Sequence, residues 1–166
     1  QAEDGIRDYK VTGVQTCALP ILDDEAATTA LGGRLSAALR HGDVVCLWGA
    51  LGSGKSTLAR GLIRALTSLD EPVPSPTFTR IQTYDGPEFA IAHLDLYRVK
   101  SAHELAELGL DEAMDEGAVL IEWPERLEHY LPADRLDIVF ALPEASQGRR
   151  VRLLPQGNWK DRAIEF

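Results

Sequence analysis

Residues 49 to 56 read GALGSGKS and satisfy the phosphate-binding pattern G-x-x-x-x-G-K-[ST]. Glycines allow the backbone to turn its N–H groups inward around a phosphate, in conformations that a Cβ would forbid. Lys55 has the reach to contact β- and γ-phosphates, and the Ser56 hydroxyl is a Mg²⁺ ligand in such loops. We therefore predict a nucleoside-triphosphate site that contains Gly49, Leu51, Gly52, Ser53, Gly54, Lys55 and Ser56.

Two carboxylates follow apolar runs further along the chain, and either could complete a magnesium site. Asp95 ends the run IAHL and Glu122 ends the run AVLI. A phosphate-binding loop needs a second acidic group, usually at the end of another strand, to hold Mg²⁺ or its waters. We predict that both carboxylates work with Lys55 in catalysis and with Ser56 at the metal. The sequence leaves open which of the two ligates the ion and which orients water.

Three further groups of polar residues have two interpretations each. The hydroxyls of Ser75, Thr77 and Thr79 lie in a proline-stiffened loop that could sense a γ-phosphate, or could form a plain turn. His93 is interpreted as a core histidine, or one that supports another side chain, in preference to a base. Arg98 could meet phosphate or pair with an acidic neighbour.

The elements that flank the loop are those it requires. Residues 44–48 are a short apolar run typical of a buried strand, and residues 55–69 are predicted to form a helix. The N terminus of that helix adds unpaired N–H groups and the positive end of its dipole to the site. The side chains predicted to face inward from it are Leu58, Leu62, Ile63, Leu66 and Leu69.

The rest of the chain alternates between strand and helix patterns, which indicates an α/β layered domain. A helix is predicted from an N-cap at Asp23 or Asp24 to His41-Gly42, and Ser101-x-x-Glu104 is a capping box. Further strands are predicted at 80–84, 89–95, 118–121, 136–142 and 150–154, and further helices at 101–108 and 110–115.

Composition limits the classes of partner. The chain has 166 residues, with 17 Lys and Arg against 26 Asp and Glu and a net charge of −9. Nine of the acidic residues fall between Glu104 and Glu128, where Arg126 is the only basic residue. Proteins that bind nucleic acid through its phosphates usually present a basic surface. Binding of tRNA or DNA by this chain alone is therefore a poor expectation.

The remaining sequence features exclude several other classes. No run approaches the length of a membrane helix, so a cytoplasmic protein without a membrane partner is expected. Cys17 and Cys46 are too few for a disulfide framework or a four-cysteine zinc site. Residues 1–21 show no periodicity and are predicted to be a non-native or disordered segment, whereas 22–166 are predicted to form one domain.

Four motifs, in their order and spacing, resemble those of the TsaE family, formerly YjeE. They are GALGSGKST, then SPTFT at 75–79, HLDLYR at 93–98 and IEWPE at 121–125. The resemblance implies a P-loop NTPase-like three-layer domain whose central sheet is mostly parallel with added antiparallel strands. It also implies Mg²⁺-dependent, slow ATP hydrolysis within a complex with two partner proteins. Those partners transfer a threonylcarbamoyl group to adenosine 37 of tRNA, so that tRNA is reached through the complex.

The resemblance also implies roles for individual residues. It places Asp95 and Glu122 as the metal-binding and catalytic acids and residues 75–79 as the switch-like loop. It adds Thr28, Thr57 and Trp123 to the nucleotide-binding set, whereas Trp123 taken by itself is more typical of a packed aromatic. In the family's usual GDLGAGKT, the second residue is Asp where this chain has Ala50, and the last is Thr where it has Ser56. Serine keeps the metal-binding hydroxyl.

Two other functions stay open at this stage. A small-molecule or nucleotide kinase shares the size and the P-loop, but normally brings several arginines over the transferred phosphate. The region between Asp95 and Glu122 is dominated by Asp and Glu, which disfavours such a lid. A non-hydrolysing nucleotide-binding adaptor would tolerate loss of both carboxylates.

Overall fold

A computed structural model describes residues 21–141, 148–162 and 164. The strands are β1 (Ile21–Leu22), β2 (Val44–Trp48), β3 (Ile81–Asp85), β4 (Ala90–Asp95), β5 (Gly117–Glu122), β6 (Arg135–Ala141) and β7 (Arg149–Gln156). The α-helices are α1 (Glu25–Ser36), α2 (Lys55–Leu66), α3 (Ala102–Ala106) and α4 (Leu110–Glu116). Two 3₁₀ segments span Pro124–Tyr130 and Gly157–Asp161. The segment predicted to be non-native or disordered lies outside the described residues, except for Ile21.

The seven strands form one sheet in the order β1-β7-β6-β2-β5-β4-β3. The central strands β6, β2, β5 and β4 run parallel, whereas β7 is antiparallel to β6 and β3 is antiparallel to β4. The prediction of a mostly parallel sheet with added antiparallel strands is confirmed. In this arrangement the carboxyl ends of β2, β4 and β5 meet at one edge, which is where ligands bind in open α/β sheets.

Two apolar layers enclose the sheet and make the domain three layers thick. Strand β2 is buried on both faces, as expected for a parallel strand in the middle of such a sheet. On one face, residues of the sheet pack with Leu31, Leu35, Leu58, Leu62 and Ile63 of α1 and α2. On the other face the covering residues include Leu105, Leu110, Ala113 and Leu127. No helix in the described ranges has the length and apolar character needed to cross a bilayer.

Helices α1 and α2 touch along their backbones because each carries a glycine at the crossing. A Cβ on Gly32 would lie 2.3 Å from the Leu58 carbonyl oxygen, and one on Gly61 would lie 2.2 Å from the Thr29 carbonyl oxygen. Real side chains do not make contacts that short. The two glycines therefore bring α1, with Thr28 on it, against the helix that follows the phosphate-binding loop.

Two predicted helix ends were wrong. Helix α1 begins after Asp24, whose side chain accepts from the Ala27 amide as predicted, but it ends at Ser36 and not at His41-Gly42. Helix α2 ends at Leu66, and Leu69, predicted to face inward, is 83% exposed. In both cases the apolar spacing continues into the next turn of chain after the helical hydrogen bonds have stopped, so periodicity alone overestimates the length.

Candidate nucleotide site

The phosphate-binding loop joins β2 to α2 in the predicted strand–loop–helix arrangement. Gly54, the N-cap of α2, has φ +110° and Gly49 has φ +146°, both unfavourable for residues with a Cβ. At Gly49 a Cβ would also lie 2.9 Å from the Ser53 hydroxyl oxygen. The glycines of the pattern are thus required by the backbone, while Leu51 projects from the loop and is 75% exposed.

Lys55 is held against its own loop. Its Nζ donates to the carbonyl oxygens of Gly49 at 2.7 Å and Ala50 at 2.9 Å, and it lies 4.0 Å from the centre of the Trp123 ring. Burial lowers the pKa of the Lys55 ammonium, and the negative charges of Glu122, Glu125 and Asp95 oppose that shift. The ammonium is therefore already inside the loop that would surround a phosphate.

Glu122 connects the end of β5 to the first turn of α2. The Ser56 hydroxyl donates to Glu122 Oε2 at 2.9 Å, and His93 Nε2 lies 2.8 Å from Glu122 Oε1. The carboxylate is buried, with 2% of the residue exposed. The Ser56 hydroxyl and the Glu122 carboxylate were predicted to act at the same metal. They are in direct contact although they are 66 residues apart in the sequence.

Asp95 is also buried, and its side chain contacts the loop that precedes β3 and the backbone just after β4. Thr77 Oγ1 donates to Asp95 Oδ2 at 2.9 Å, and Ser75 Oγ donates to the same oxygen at 3.3 Å. The Tyr97 amide donates to Oδ1 at 2.9 Å. Thr79 is exposed and lies outside the cleft. The structure therefore brings two of the three predicted switch hydroxyls to the site.

The oxygen ligands at this edge of the sheet fit a magnesium ion that is bound together with phosphate. The described residues contain no cluster of three or more His, Cys, Asp or Glu side chains able to hold a metal by themselves. Magnesium at phosphate sites uses one or two carboxylates and takes its other ligands from water and phosphate. Ser56 and Glu122, already in contact, have this chemistry, and Asp95 is the register partner of Glu122 on the adjacent strand.

A cleft of about 280 Å³ unites these groups. Its walls include the predicted residues Leu51, Gly52, Ser53, Gly54, Lys55, Ser56, Thr57, Ser75, Thr77, Asp95, Glu122 and Trp123. Gly49 lies beneath it as the acceptor for Lys55. Thr28 is fully buried, and its hydroxyl accepts from the Arg149 guanidinium at 3.3 Å.

Sequence reasoning missed two residues of the cleft, Tyr97 and Arg149. Tyr97 packs on Trp123 with ring centres 4.8 Å apart, and its place two residues after Asp95 could have indicated it. Arg149 comes from β7, which no local pattern connects with the loop. Arg98, for which phosphate or an acidic partner was expected, lies instead 4.7 Å from the centre of the Phe78 ring.

Comparison with known proteins identifies the family. The model of the family described as "Threonylcarbamoyl adenosine biosynthesis protein TsaE" matches residues 22–151. The chain belongs to the TsaE family. TsaE from Rickettsia bellii is 40% identical over 118 residues, which are 71% of this chain and 82% of the relative. TsaE from Mycobacterium bovis is 37% identical over 137 residues, or 77% of this chain and 79% of the relative.

A solved structure extends the similarity to the fold. The crystal structure of YdiB from Bacillus subtilis superimposes with a TM-score of 0.74 at 29% sequence identity, and covers 91% of this chain and 93% of that one. The P-loop NTPase-like fold expected of a TsaE protein is therefore confirmed. In this TsaE chain the family match includes the loop, both carboxylates and the first residues of β7.

Proposed function

We propose that this chain binds Mg²⁺-ATP in the cleft and hydrolyses it slowly, as a subunit of the complex that installs threonylcarbamoyl on adenosine 37 of tRNA. The observation that carries the proposal is the convergence of Lys55, Ser56, Asp95 and Glu122 on one cleft in a member of the TsaE family. The relatives are named for tRNA threonylcarbamoyladenosine biosynthesis, which supports the pathway. Because its proposed target is tRNA, we also place the protein in the cytoplasm.

The contacts support a division of labour between the two acids. Glu122 and Ser56, which touch each other, would hold magnesium, and the ion would neutralise negative charge on the phosphates. Lys55 and the amides of residues 49–56 provide further positive potential around the same phosphates. Asp95 faces the hydroxyls of Ser75 and Thr77, so we assign it to the alignment of the attacking water.

The small number of cationic side chains in the cleft supports slow turnover by the isolated chain. Among the described residues that line the cleft, Lys55 and Arg149 are the cationic side chains. Enzymes that transfer phosphoryl groups rapidly add arginines that stabilise the transition-state charge, sometimes from a second protein. Partner proteins could supply such a group or stabilise the competent form of the cleft, so we propose two partners that raise turnover and present the tRNA.

The segment between the two acids argues against a kinase lid. Its helices α3 and α4 place Leu105, Leu110 and Ala113 in the apolar layer under the sheet instead of folding over the cleft. The same segment carries most of the acidic run from Glu104 to Glu128. Such a surface fits recruitment through proteins better than direct contact with tRNA.

The decisive experiment measures Mg²⁺-ATP hydrolysis by the chain alone, and then with the two partner proteins and tRNA. The Lys55→Ala variant is the control for contaminating ATPases. Slow turnover that rises with the partners supports the proposal. Rapid turnover alone, or phosphate label on a small acceptor, would indicate a kinase, and nucleotide binding without turnover in every mixture would indicate an adaptor.

A further inference from the structure

His93 is a polar side chain inside the apolar layer formed by the sheet and α2. It lies on β4, two residues before Asp95, and only 1% of the residue is exposed. Side chains at alternate positions of a strand share a face, so His93, Asp95 and the core residue Ile91 point to the same side. Burying an imidazole costs free energy unless its polar atoms are paired.

The only hydrogen bond that the described residues give the His93 ring is with Glu122. His93 Nε2 lies 2.8 Å from Glu122 Oε1, and Nδ1 is buried without a partner in the described ranges. A carboxylate oxygen accepts, so Nε2 is the donor. The other carboxylate oxygen, Oε2, accepts from Ser56 at 2.9 Å. Both oxygens of Glu122 therefore have one fixed partner each.

We propose that His93 is a positioning residue that fixes the Glu122 carboxylate through the Nε2 hydrogen bond, so that Oε2 stays directed at Ser56. A glutamate has three side-chain torsions, and with Oε1 bonded to His93 and Oε2 bonded to Ser56 the carboxylate is held at both of its oxygens. Outer partners of this kind orient acidic and histidine ligands, and their loss commonly weakens metal affinity or activity 10- to 100-fold. The inference rests on the proposed function, because it assigns Glu122 to the magnesium ion.

A purely structural role makes a different prediction. If His93 only filled space, any well-packed substitute would preserve nucleotide binding. A poorly packed substitute would lower the midpoint of thermal unfolding, and would weaken nucleotide binding equally with and without Mg²⁺. If it positions Glu122, its loss must affect the magnesium-dependent part of nucleotide affinity and spare the part due to Lys55 and the loop amides. Comparing nucleotide affinity with and without Mg²⁺ separates the two.

The matched variants are His93→Gln and His93→Asn, which introduce the same amide group on side chains of different length. The glutamine N–H group can approach the place of Nε2, whereas the asparagine N–H group falls one methylene short. We measure Kd for a fluorescent ATP analogue with Mg²⁺ and with EDTA, together with kcat and the thermal midpoint. We expect His93→Asn to lose about 10- to 100-fold in affinity with Mg²⁺, little in EDTA, and His93→Gln to recover most of the loss.

The outcomes separate this inference from the proposed function. If Mg²⁺ does not raise the nucleotide affinity of the wild-type chain, the proposed function is wrong in assigning a magnesium ion to this site. If the gain is present and both variants keep it, the positioning role is wrong. Equal losses with Mg²⁺ and in EDTA would also overturn it. Should His93→Asn not fold, His93→Leu replaces it in the same titrations, because leucine fills a similar volume and has no hydrogen-bond donor for Glu122.

Discussion

Asp95 and Glu122 are register partners at the carboxyl ends of adjacent parallel strands, yet their carboxylates contact different parts of the chain. Asp95 accepts from hydroxyls of the loop before β3, whereas Glu122 accepts from the first turn of α2. The two acids therefore link the phosphate-binding loop and the switch-like loop to the same edge of the sheet. Their different partners predict different mutant phenotypes.

Asp95→Asn should lower turnover by on the order of 100-fold while leaving nucleotide affinity within a few-fold, because a neutral amide aligns the attacking water less well than a carboxylate does. Glu122→Gln should also reduce the gain in affinity that Mg²⁺ provides. Single-turnover hydrolysis and nucleotide titrations with and without Mg²⁺ measure both effects. If neither variant slows hydrolysis, our assignment of the acids is wrong.

Lys55→Ala should abolish nucleotide-dependent thermal stabilisation, because it removes the cation that faces the β- and γ-phosphates. At a nucleotide concentration 100 times Kd, the wild-type chain should gain about 2.7 kcal/mol, or roughly 5 to 10 °C in the unfolding midpoint. Lys100→Ala, which removes an exposed lysine outside the cleft, is the control and should keep the shift. A shift retained by Lys55→Ala would refute the phosphate-binding role.

Thr77→Val should slow hydrolysis several-fold with little change in stability, because it removes the shorter of the two hydroxyl bonds to Asp95. Thr79→Val is the matched control, since Thr79 is exposed and outside the cleft. Steady-state kcat and thermal midpoints of the two variants test the difference. Equal rates in the two variants would mean that the loop is a plain turn.

Gly32→Ala and Gly33→Ala should change stability in opposite directions although the residues are neighbours in α1. A Cβ at Gly32 meets the backbone of α2, whereas nothing lies within 4 Å of one at Gly33. We expect Gly32→Ala to cost about 1 to 3 kcal/mol and Gly33→Ala to stabilise by about 0.5 to 1 kcal/mol. Urea unfolding measures both. A neutral Gly32→Ala would show that the helices can separate without loss.

Much of the site could be predicted from sequence because it depends on local chemistry. The glycine pattern, the carboxylates that end apolar runs and the capping box at Ser101, which accepts from the Glu104 amide, each act within a few residues. The predicted strands at 80–84 and 89–95 also match β3 and β4, because strand patterns and turn residues are local.

The remaining features depend on contacts between distant segments. Apolar runs show that β2, β5 and β6 are buried, but not that β2 lies between the other two. The place of Arg149 in the cleft follows from the pairing of β7 with β6, and the contact between His93 and Glu122 follows from the register of β4 on β5. Trp123 adopts φ +61°, a conformation that favours glycine, and nothing in its local sequence predicts this.

The backbone contact at Gly32 and Gly61 limits how far α1 and α2 can move relative to each other. With no layer of side chains between α1 and α2 at the crossing, there is nothing there to repack, so we expect the two helices to move together. The buried Thr28 on α1 is thus held close to the helix that follows the phosphate-binding loop. Under the proposed function, a response to the nucleotide would fall to the cleft residues on other elements, among them Ser75, Thr77 and Trp123. A change in the bound nucleotide would therefore be transmitted to partner proteins from those elements of the domain.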